Sequence, residues 1–321
     1  MVEMTIQKLN DVGLDDLADF IFDRRQESVF RSERRTPDTV KSVLKEAARD
    51  ENNLVIVARK KDSKEIVGCL RFDVGFPAFA FSNSWQPLVM QSDDREIIAK
   101  KMIHAFKEYA AAAGYTRVEA LLSPINEIHS DILVEYRNWF LSEGFYLASG
   151  EVFMEVNLEK IELPKPEPKL PEGYKFKSIE DKRNEEIKEP FFETFMSGKD
   201  RLFLDMIPAQ RLTAFNYWFR RSSPIHKSSL IVVKDNDVVG FSVTRPEEDS
   251  VNIGPFGVHP NHKGKGIGKA LLHRMMKILF DEGVGLAKLE ADATNTPALN
   301  LYRKYGFDEK DKQEYYAWRA D

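Results

Sequence analysis

The chain has 321 residues, of which 42% are hydrophobic and 31% are charged, proportions typical of a folded, water-soluble protein. This length is enough for two domains of about 150 residues each. The net charge of −5 argues against a general nucleic-acid binder, and the single cysteine, Cys69, excludes an intramolecular disulfide.

The same sequence predicts the cellular compartment of the protein. A lone cysteine suits a reducing cytoplasm. The chain contains no run of 18 apolar residues, and its first residues lack the apolar core of a signal peptide. We therefore expect a cytoplasmic protein that does not contact a membrane.

Hydrophobic periodicity predicts the same succession of elements in each half of the chain. In each half the sequence predicts a first strand, helical stretches, two strands joined by a charged turn, a long helix, another strand, a short helix and a last strand. In the first half the strands are 5–9, 54–59, 66–73, 117–122 and 151–157, and the long helix is 96–113. In the second half the strands are 174–179, 230–234, 238–245, 288–293 and 314–318, and the long helix is 268–282. The repeated order indicates two copies of one fold.

A proline-rich segment separates the two halves. Pro164, Pro166 and Pro168 favour an extended, semi-rigid connection over a packed element. We therefore expect domains at 1–158 and 173–321, joined by a linker at 159–172.

Residues 254–270 are the most informative segment of the sequence. They predict an extended stretch, then a turn through Gly264, Gly266 and Gly268, then a helix. Glycines at such a turn let backbone N–H groups converge on one point, and the helix N-terminus adds partial positive charge. Lysines surround the turn, and residues 259–280 contain no Asp or Glu. The segment therefore predicts a phosphate site.

Three readings of this loop differ in what it binds. A P-loop would carry Ser or Thr after its Gly-Lys, whereas Gly266 follows Lys265 here. A dinucleotide fold would place the loop early in its domain, with wider glycine spacing and an acid about 20 residues later, a distance near which Glu290 lies. A glycine-rich turn with solvated lysines is the third reading.

A second motif downstream indicates which kind of ligand the loop binds. The run Lys263-Gly264-Lys265-Gly266-Ile267-Gly268 and the later Asn295, Ala298, Leu301-Tyr302 and Gly306-Phe307 resemble the two motifs of the GNAT superfamily of acetyl-CoA-dependent N-acetyltransferases. The first motif usually begins with Arg or Gln, so Lys263 departs from it. Since backbone N–H groups form most of such a site, we expect lysine to be tolerated there.

The resemblance implies the fold, the reaction and the cofactor site. The fold would be α+β, a three-layer α/β/α arrangement in two tandem domains, each with a mixed, mostly antiparallel sheet whose central strand pair is splayed. Acetyl-CoA would be the co-substrate, with no metal, and an amine would attack it directly in a ternary complex. The residues implied for the cofactor are Phe256, Gly257, Val258, Lys263, Gly264, Lys265, Gly266, Ile267, Gly268, Lys269 and Asn295.

Catalytic roles follow from the same resemblance. The backbone N–H of Val258 is the candidate for stabilising negative charge on the thioester oxygen. Tyr302 is the candidate acid for the departing thiolate, because tyrosine keeps its proton at neutral pH. Residues 251–258 lack the carboxylate that many members carry there, so we favour Glu290 as the base, with Asp292 and His259 as alternatives.

The first half is interpreted as a degenerate copy. Where the second half has its glycine loop, the first has Gln91-Ser-Asp-Asp-Arg95, without glycine and with two carboxylates that would repel a diphosphate. Phe140 stands where the second half has Tyr302, so the hydroxyl is missing.

The amine that accepts the acetyl group is the feature that the sequence determines least. We expect the aromatic-rich segment 189–221 to form its wall, with Glu193, Asp200 and Asp205 as candidates for contact with an amine. The acceptor would be a small-molecule or peptide amine, and the protein a monomer or a loose homodimer. The alternative function is a non-catalytic module that binds or senses acyl-CoA.

Overall fold

The computed structural model describes residues 2–27, 36–76, 79–126, 129–220 and 226–320. It divides into two compact units. Unit 1 comprises Met1–Ala148 with Gln313–Asp321, and unit 2 comprises Ser149–Lys312. This composition differs from the linear division predicted at 158 and 173, because the chain's last strand contributes to the first unit and residues 149–157 contribute to the second.

Unit 1 is built around a mixed sheet. Its strands are β1 (Val2–Lys8), β2 (Asn53–Lys60), β3 (Ile66–Asp73), β4 (Phe79–Ser82), β5 (Leu88–Val89) and β6 (Arg117–Ile125). Its helices are α1 (Leu14–Glu27), α2 (Pro37–Ala47), α3 (Arg95–Ala112) and α4 (Ser130–Ser142). Strands β1 to β4 pair antiparallel in order, and β4 pairs parallel with β6.

Helices cover both faces of the unit 1 sheet. Side chains alternate between the faces of a strand, and in β2 Leu54 and Ile56 join the core that contains α3 residues such as Met102. Val55 and Val57 point the other way, into a core with α1 and α2. Both faces are therefore buried, which confirms the predicted three-layer arrangement for this unit.

Unit 2 repeats the arrangement. Its strands are residues 149–157 of β7 (Tyr146–Asn157), then β8 (Tyr174–Ser178), β9 (Leu230–Lys234), β10 (Asp237–Pro246), β11 (Val251–Val258) and β12 (Leu286–Asp292). Its helices are α5 (Asn184–Met196), α6 (Arg201–Asp205), α7 (Pro208–Trp218), α8 (Ile267–Asp281) and α9 (Thr296–Arg303). The last strand of the chain is β13 (Asp308–Arg319). The strand order is β7-β12-β11-β10-β9-β8, and only the β11–β12 pair is parallel.

The two faces of this second sheet bury different side chains. Ile231 and Val233 of β9 pack on the α5–α7 side, where Phe191 lies at the centre of an aromatic cluster. Val232 packs on α8 on the opposite face, beside Leu271. Most aromatic side chains of segment 189–221 therefore belong to the core.

The strands and long helices predicted from periodicity are confirmed, with shifts of up to six residues at their ends. The long helices begin at Arg95 and Ile267 rather than at 96 and 268. The largest shifts are in the last strands, which begin at Tyr146 and Asp308. Among the described residues, none of the helices combines the length and the apolar composition needed to span a membrane.

Candidate cofactor and acceptor site

Strands β11 and β12 part in the middle of the unit 2 sheet. They pair only from Val251 to Ile253, opposite Ala287 to Leu289. On the other side of β11 the pairing with β10 shifts register, so that Gly254 and Pro255 lie opposite one residue. A bulge bends its strand, and proline has no N–H to lose from the ladder. The predicted splayed pair is thus confirmed, with an irregularity at Pro255, and we call the opening the strand gap.

Backbone groups of β11 face the strand gap. The N–H of His259 donates to the carbonyl of Val239 at 2.9 Å, so that residue points toward β10. Hydrogen-bonding direction alternates along an antiparallel strand. The N–H and C=O of Phe256 and Val258 therefore point away from β10 and into the gap.

The glycine loop, residues 263–268, lies immediately beyond the strand gap. Gly264 and Gly266 have φ of 77° and 79°, a left-handed conformation that favours glycine. Helix α8 begins at Ile267 with Gly266 as its cap. No backbone or side-chain acceptor among the described residues bonds the N–H groups of Gly264, Gly266 or Gly268. The loop therefore offers several N–H groups at a helix N-terminus.

Polar contacts hold the loop in place. The hydroxyl of Tyr174 lies 2.9 Å from Nδ1 of His262 and 3.4 Å from Nζ of Lys265. Lys265 also donates to the carbonyl of Asn261 at 3.2 Å. Burial, followed by the charge of Lys265, lowers the pKa of His262, so the imidazole is neutral at pH 7. The positive charge near the loop therefore belongs to lysines.

A cavity of about 430 Å³ opens beside the strand gap. Its wall combines the bulged part of β11, the end of β12, the start of α9 and aromatic side chains of α5 and α7. The lining residues that bear on the sequence predictions are Phe195, Asp200, Trp218, Phe256, Glu290, Asp292, Asn295 and Tyr302. The structure thus brings both predicted catalytic residues to one cavity.

Tyr302 is nearly buried in this wall. Its side chain is 6% exposed, and its ring lies near those of Phe256 and Phe307, with centroids 6.2 and 5.9 Å away. Burial raises its pKa well above the usual value. Within the described residues its hydroxyl makes no hydrogen bond to protein. The phenol is therefore a protonated donor available to a ligand in the cavity.

Two neighbours of Tyr302 have structural roles. Oδ1 of Asn295 accepts from the N–H of Ala298 at 3.4 Å and caps α9. Tyr305 is 2% exposed, and its hydroxyl donates to the carbonyl of Lys269 at 3.3 Å. Tyr305 thus packs in the core beside α8, whereas Asn295 also lines the cavity.

The carboxylates proposed as bases differ in environment. Asp292 is 5% exposed and accepts from Arg201 Nε at 2.9 Å and Thr294 Oγ1 at 2.6 Å. Burial alone would raise its pKa, but the bonds from Arg201 and Thr294 outweigh burial and hold the pKa below its usual value. Glu290, two residues earlier on the same face of β12, is exposed. Asp292 is therefore a poor proton acceptor.

The third candidate base and the acids expected to meet an amine are also accounted for. Nε2 of His259 lies within hydrogen-bond distance of the Glu193 carboxylate, and Nδ1 of His259 accepts from the N–H of Asn261. Of the three acids expected to meet an amine, only Asp200 lines the cavity. Its side chain caps α6 by accepting from Phe203 N–H at 2.9 Å, and burial raises its pKa.

The corresponding strands of unit 1, β4 and β6, pair over four residues, one more than β11 and β12. Strands β4 and β6 stay paired through Ser82 and Ala120, and the N–H of Trp85 extends the contact by donating to Leu121 at 3.1 Å. Trp85 is 1% exposed, and the Tyr136 hydroxyl lies 3.4 Å from its carbonyl. The sequence identified the missing glycine loop at 91–95. It did not identify Trp85. The one sequence feature that points to this residue is its position as an isolated tryptophan before a proline-containing turn.

Gly257 has a packing role that the sequence did not reveal. A Cβ added there would lie 2.6 Å from Cγ2 of Thr194 and 3.1 Å from the ring of Phe241. Helix α5 therefore approaches β11 so closely that only glycine fits. At Gly254, by contrast, an added Cβ would meet nothing within 4 Å.

Part of unit 2 matches a known protein family. Residues 185–307 match the family described as "Acetyltransferase (GNAT) family". The matched stretch contains the strand gap, the glycine loop, Asn295 and Tyr302.

Known proteins resemble the chain over different lengths. A mycothiol acetyltransferase of Thermomonospora curvata is 25% identical over 164 residues, which cover 50% of this chain and 53% of that enzyme. A [ribosomal protein bS18]-alanine N-acetyltransferase of Haemophilus influenzae is 32% identical over 89 residues, covering 27% and 60%. The matched stretches thus span little more than half the length of these relatives.

The chain resembles solved structures over its whole length. A tandem GNAT protein from the clavulanic acid biosynthesis pathway superposes with a TM-score of 0.56 at 16% identity, covering 100% of this chain and 99% of that one. At this identity the likeness concerns the fold alone.

Substitution Gly257→Ala should destabilise unit 2. The new methyl group would overlap Thr194, and overpacking of this kind costs about 1–3 kcal/mol. Urea denaturation would measure the loss. The matched control is Gly254→Ala, three residues earlier on the same strand, which should change the free energy of unfolding by at most about 1 kcal/mol in either direction. Equal losses for the two variants would contradict the close contact between α5 and β11.

Proposed function

The chain belongs to the GNAT superfamily and has a tandem fold, and on this premise we propose that unit 2 transfers the acetyl group of acetyl-CoA to a primary amine and that unit 1 is a degenerate copy. The observation that carries the proposal is the strand gap, which places unpaired backbone groups of β11 directly beside the glycine loop.

The residues present fit acetyl-CoA along its length. The N–H groups of Gly264, Gly266 and Gly268 would bind the diphosphate, as helix N-termini do for phosphates generally. Lysines 263, 265 and 269 add charge around the loop, and Ile267 supplies a further N–H. The pantetheine arm would pair with the edge of β11 from Phe256 to Val258 and pass Asn295.

The donor site would stabilise charge where it develops. Bound acetyl-CoA supplies an activated thioester. The N–H of Val258 points into the strand gap and would donate to the thioester oxygen as that oxygen becomes negative. A donor fixed in this way lowers the barrier because it needs no reorganisation during the reaction.

Tyr302 would protonate the leaving thiolate. Its burial in the cavity wall keeps the proton on the phenol throughout the neutral range. Its hydroxyl has no protein partner among the described residues that would compete for the proton. A positioned acid of this kind contributes roughly 10²–10⁴-fold to rate.

Glu290 would take the proton from the attacking amine. It lines the cavity and is exposed, whereas hydrogen bonds from Ser149, Arg201 and Thr294 engage Asp292 as an acceptor. An ammonium group must lose a proton before attack. The exposed position of Glu290 lets the proton pass to solvent, directly or through a water.

The acceptor would be a small-molecule or peptide amine that attacks the thioester in a ternary complex. The two relatives described above are named for mycothiol and for the alanine of a ribosomal protein, acceptors of both kinds. A screen of amines and peptides with free-thiol detection of released CoA tests this proposal. Stabilisation by CoA without thiol release from any amine would favour the binding module instead.

Substitution Gly266→Asp should abolish stabilisation by CoA. At a CoA concentration about 100-fold above Kd, the wild type should gain roughly 5 °C or more in Tm, and an Asp carboxylate in the loop would repel the diphosphate. The matched control is Gly283→Asp, since Gly283 also has a positive φ of 71° and no atom within 4 Å of an added Cβ. That variant should keep the full shift. Loss of the shift in both would assign the effect to backbone strain.

Substitution Tyr302→Phe should lower kcat about 100-fold while leaving Kd for CoA within about twofold, because it removes the proton donor and keeps the packed ring. Steady-state kinetics and calorimetry would measure the two quantities. Tyr305→Phe is the control, since that hydroxyl bonds a backbone carbonyl in the core, and its kcat should change little. An equal loss of affinity and turnover in Tyr302→Phe would reassign Tyr302 to cofactor binding.

Substitution Glu290→Gln should lower kcat/KM about 100-fold at neutral pH. The deficit should shrink as pH rises toward the pKa of the acceptor amine, because the free amine then needs no base. A pH–rate profile would show this. Glu248→Gln, an exposed carboxylate in the same unit that does not line the cavity, should leave the profile unchanged. A deficit that is constant with pH would exclude Glu290 as the base.

A further inference from the structure

The cavity of unit 2 has two chemically different parts. One part is formed by β12 and α9 and carries Glu290 and Tyr302, the groups proposed for proton transfer. The other part is formed by α5 and α7, and its aromatic lining residues are Phe195, Tyr217 and Trp218. We call these three residues the aromatic wall. A molecule that fills the cavity and presents its amine to Glu290 therefore has the aromatic wall as a neighbour.

The aromatic wall is accessible in the cavity. Tyr217 is 57% exposed, whereas Phe215, two residues earlier on α7, is 3% exposed and belongs to the core. Phe195 and Trp218 are partly buried, and their ring centroids lie 4.7 and 5.7 Å from that of Phe191 in the same core. These two rings thus pack on the core and also line the cavity.

Contacts at the end of α7 fix the aromatic wall. Nη2 of Arg245 donates to the carbonyl of Trp218 at 2.6 Å and to that of Arg220 at 3.1 Å. Carbonyls at a helix C-terminus lack intrahelical donors, and positive charge is favourable there. The guanidinium of Arg220 lies over the ring of Tyr217, with Cζ 4.3 Å from the centroid, a cation–π contact. Rings held in this way lose little further freedom when a ligand binds.

Most charged residues that line the cavity are engaged by the protein itself. The two arginines have the contacts just described, and Asp200 and Asp292 accept the hydrogen bonds described for the site. Glu247 accepts from the Ser250 hydroxyl at 2.7 Å and lies 3.7 Å from Nζ of Lys288. An engaged ion gains little from a new partner, whereas aromatic surface gains from leaving water. The aromatic wall is therefore the part of the lining that best suits the body of the acceptor.

We propose that the acceptor is a primary amine joined to an aromatic group, which contacts the aromatic wall while the amine reaches Glu290. This inference rests on the acetyl transfer proposed for unit 2 and specifies the class of its acceptor. A planar apolar ring gains from burial and from offset or edge-to-face contacts with aromatic side chains. Aromatic small amines and peptides that begin with an aromatic residue share this chemistry.

Steady-state kinetics with free-thiol detection at saturating acetyl-CoA tests the proposal. 2-Phenylethylamine is compared with ethylamine, and the peptide Phe-Gly-Gly with Ala-Gly-Gly, with rates expressed per concentration of free amine. In at least one pair the wild type should show kcat/KM about tenfold or more higher for the aromatic acceptor. A preference within the amine pair alone identifies a small-molecule acceptor, and a preference within the peptide pair alone identifies a peptide acceptor.

The variant Trp218→Ala should reduce this preference to about threefold or less, because it removes the largest ring of the aromatic wall. Kd for CoA, measured by calorimetry, should stay within about twofold of the wild-type value. A purely structural defect would instead lower the turnover of both members of a pair equally. Tyr217→Ala is the second variant, since this exposed side chain lies outside the core, and it should lower the preference about threefold.

The matched control is Phe280→Ala. Phe280 is an exposed aromatic residue of α8 in the same unit that does not line the cavity, so this variant should keep the full preference. If Trp218→Ala does not fold, Tyr217→Ala alone decides.

Several results overturn the aromatic acceptor and leave the acetyl transfer standing. These are equal kcat/KM within both pairs in the wild type, a preference retained in the aromatic-wall variants, an equal loss of preference in Phe280→Ala, or thiol release only with non-aromatic amines of the wider screen. Absence of thiol release with every amine rejects the acetyl transfer itself, and the aromatic acceptor with it.

Discussion

The parting of β11 from β12 is the constraint on which the rest of unit 2 depends. Ladder pairing ends at Ile253 and Leu289, and the bulge at Gly254 and Pro255 turns β11 away. Parting exposes backbone groups of Phe256 and Val258 that a continuous sheet would consume. It also directs β11 toward the loop that opens α8. A cavity, a set of backbone donors and a helix N-terminus thus meet because one strand pair is left incomplete.

The two units share one layer arrangement but differ at this strand pair. In unit 1 β4 and β6 pair through Ser82 and Ala120, the N–H of Trp85 extends their contact, and the Tyr136 hydroxyl lies close to the Trp85 carbonyl. Helices cover both faces of the sheet in this unit too. A core of this kind does not depend on a strand gap, because its stability comes from apolar burial.

Tertiary contacts give side chains of similar chemistry different environments in the candidate site. Glu290 and Asp292 share a face of β12, yet Asp292 is engaged by Arg201 and Thr294 whereas Glu290 is exposed. Tyr302 and Tyr305 lie on consecutive turns, yet only Tyr302 lines the cavity. Their roles depend on elements distant in sequence, such as α6 for Asp292, so local spacing alone leaves the choice open.

The sequence by itself determined the periodic elements, the duplicated order, the glycine loop and the later motif around Asn295 and Tyr302. Local residue spacing and the glycines that a turn requires are enough to specify these features. Tertiary structure decided what local spacing does not encode. Contacts between distant segments set the composition of the two units, the approach of α5 that requires Gly257 and the contact of Trp85 with Leu121. Each of these depends on which surfaces meet after the chain has folded.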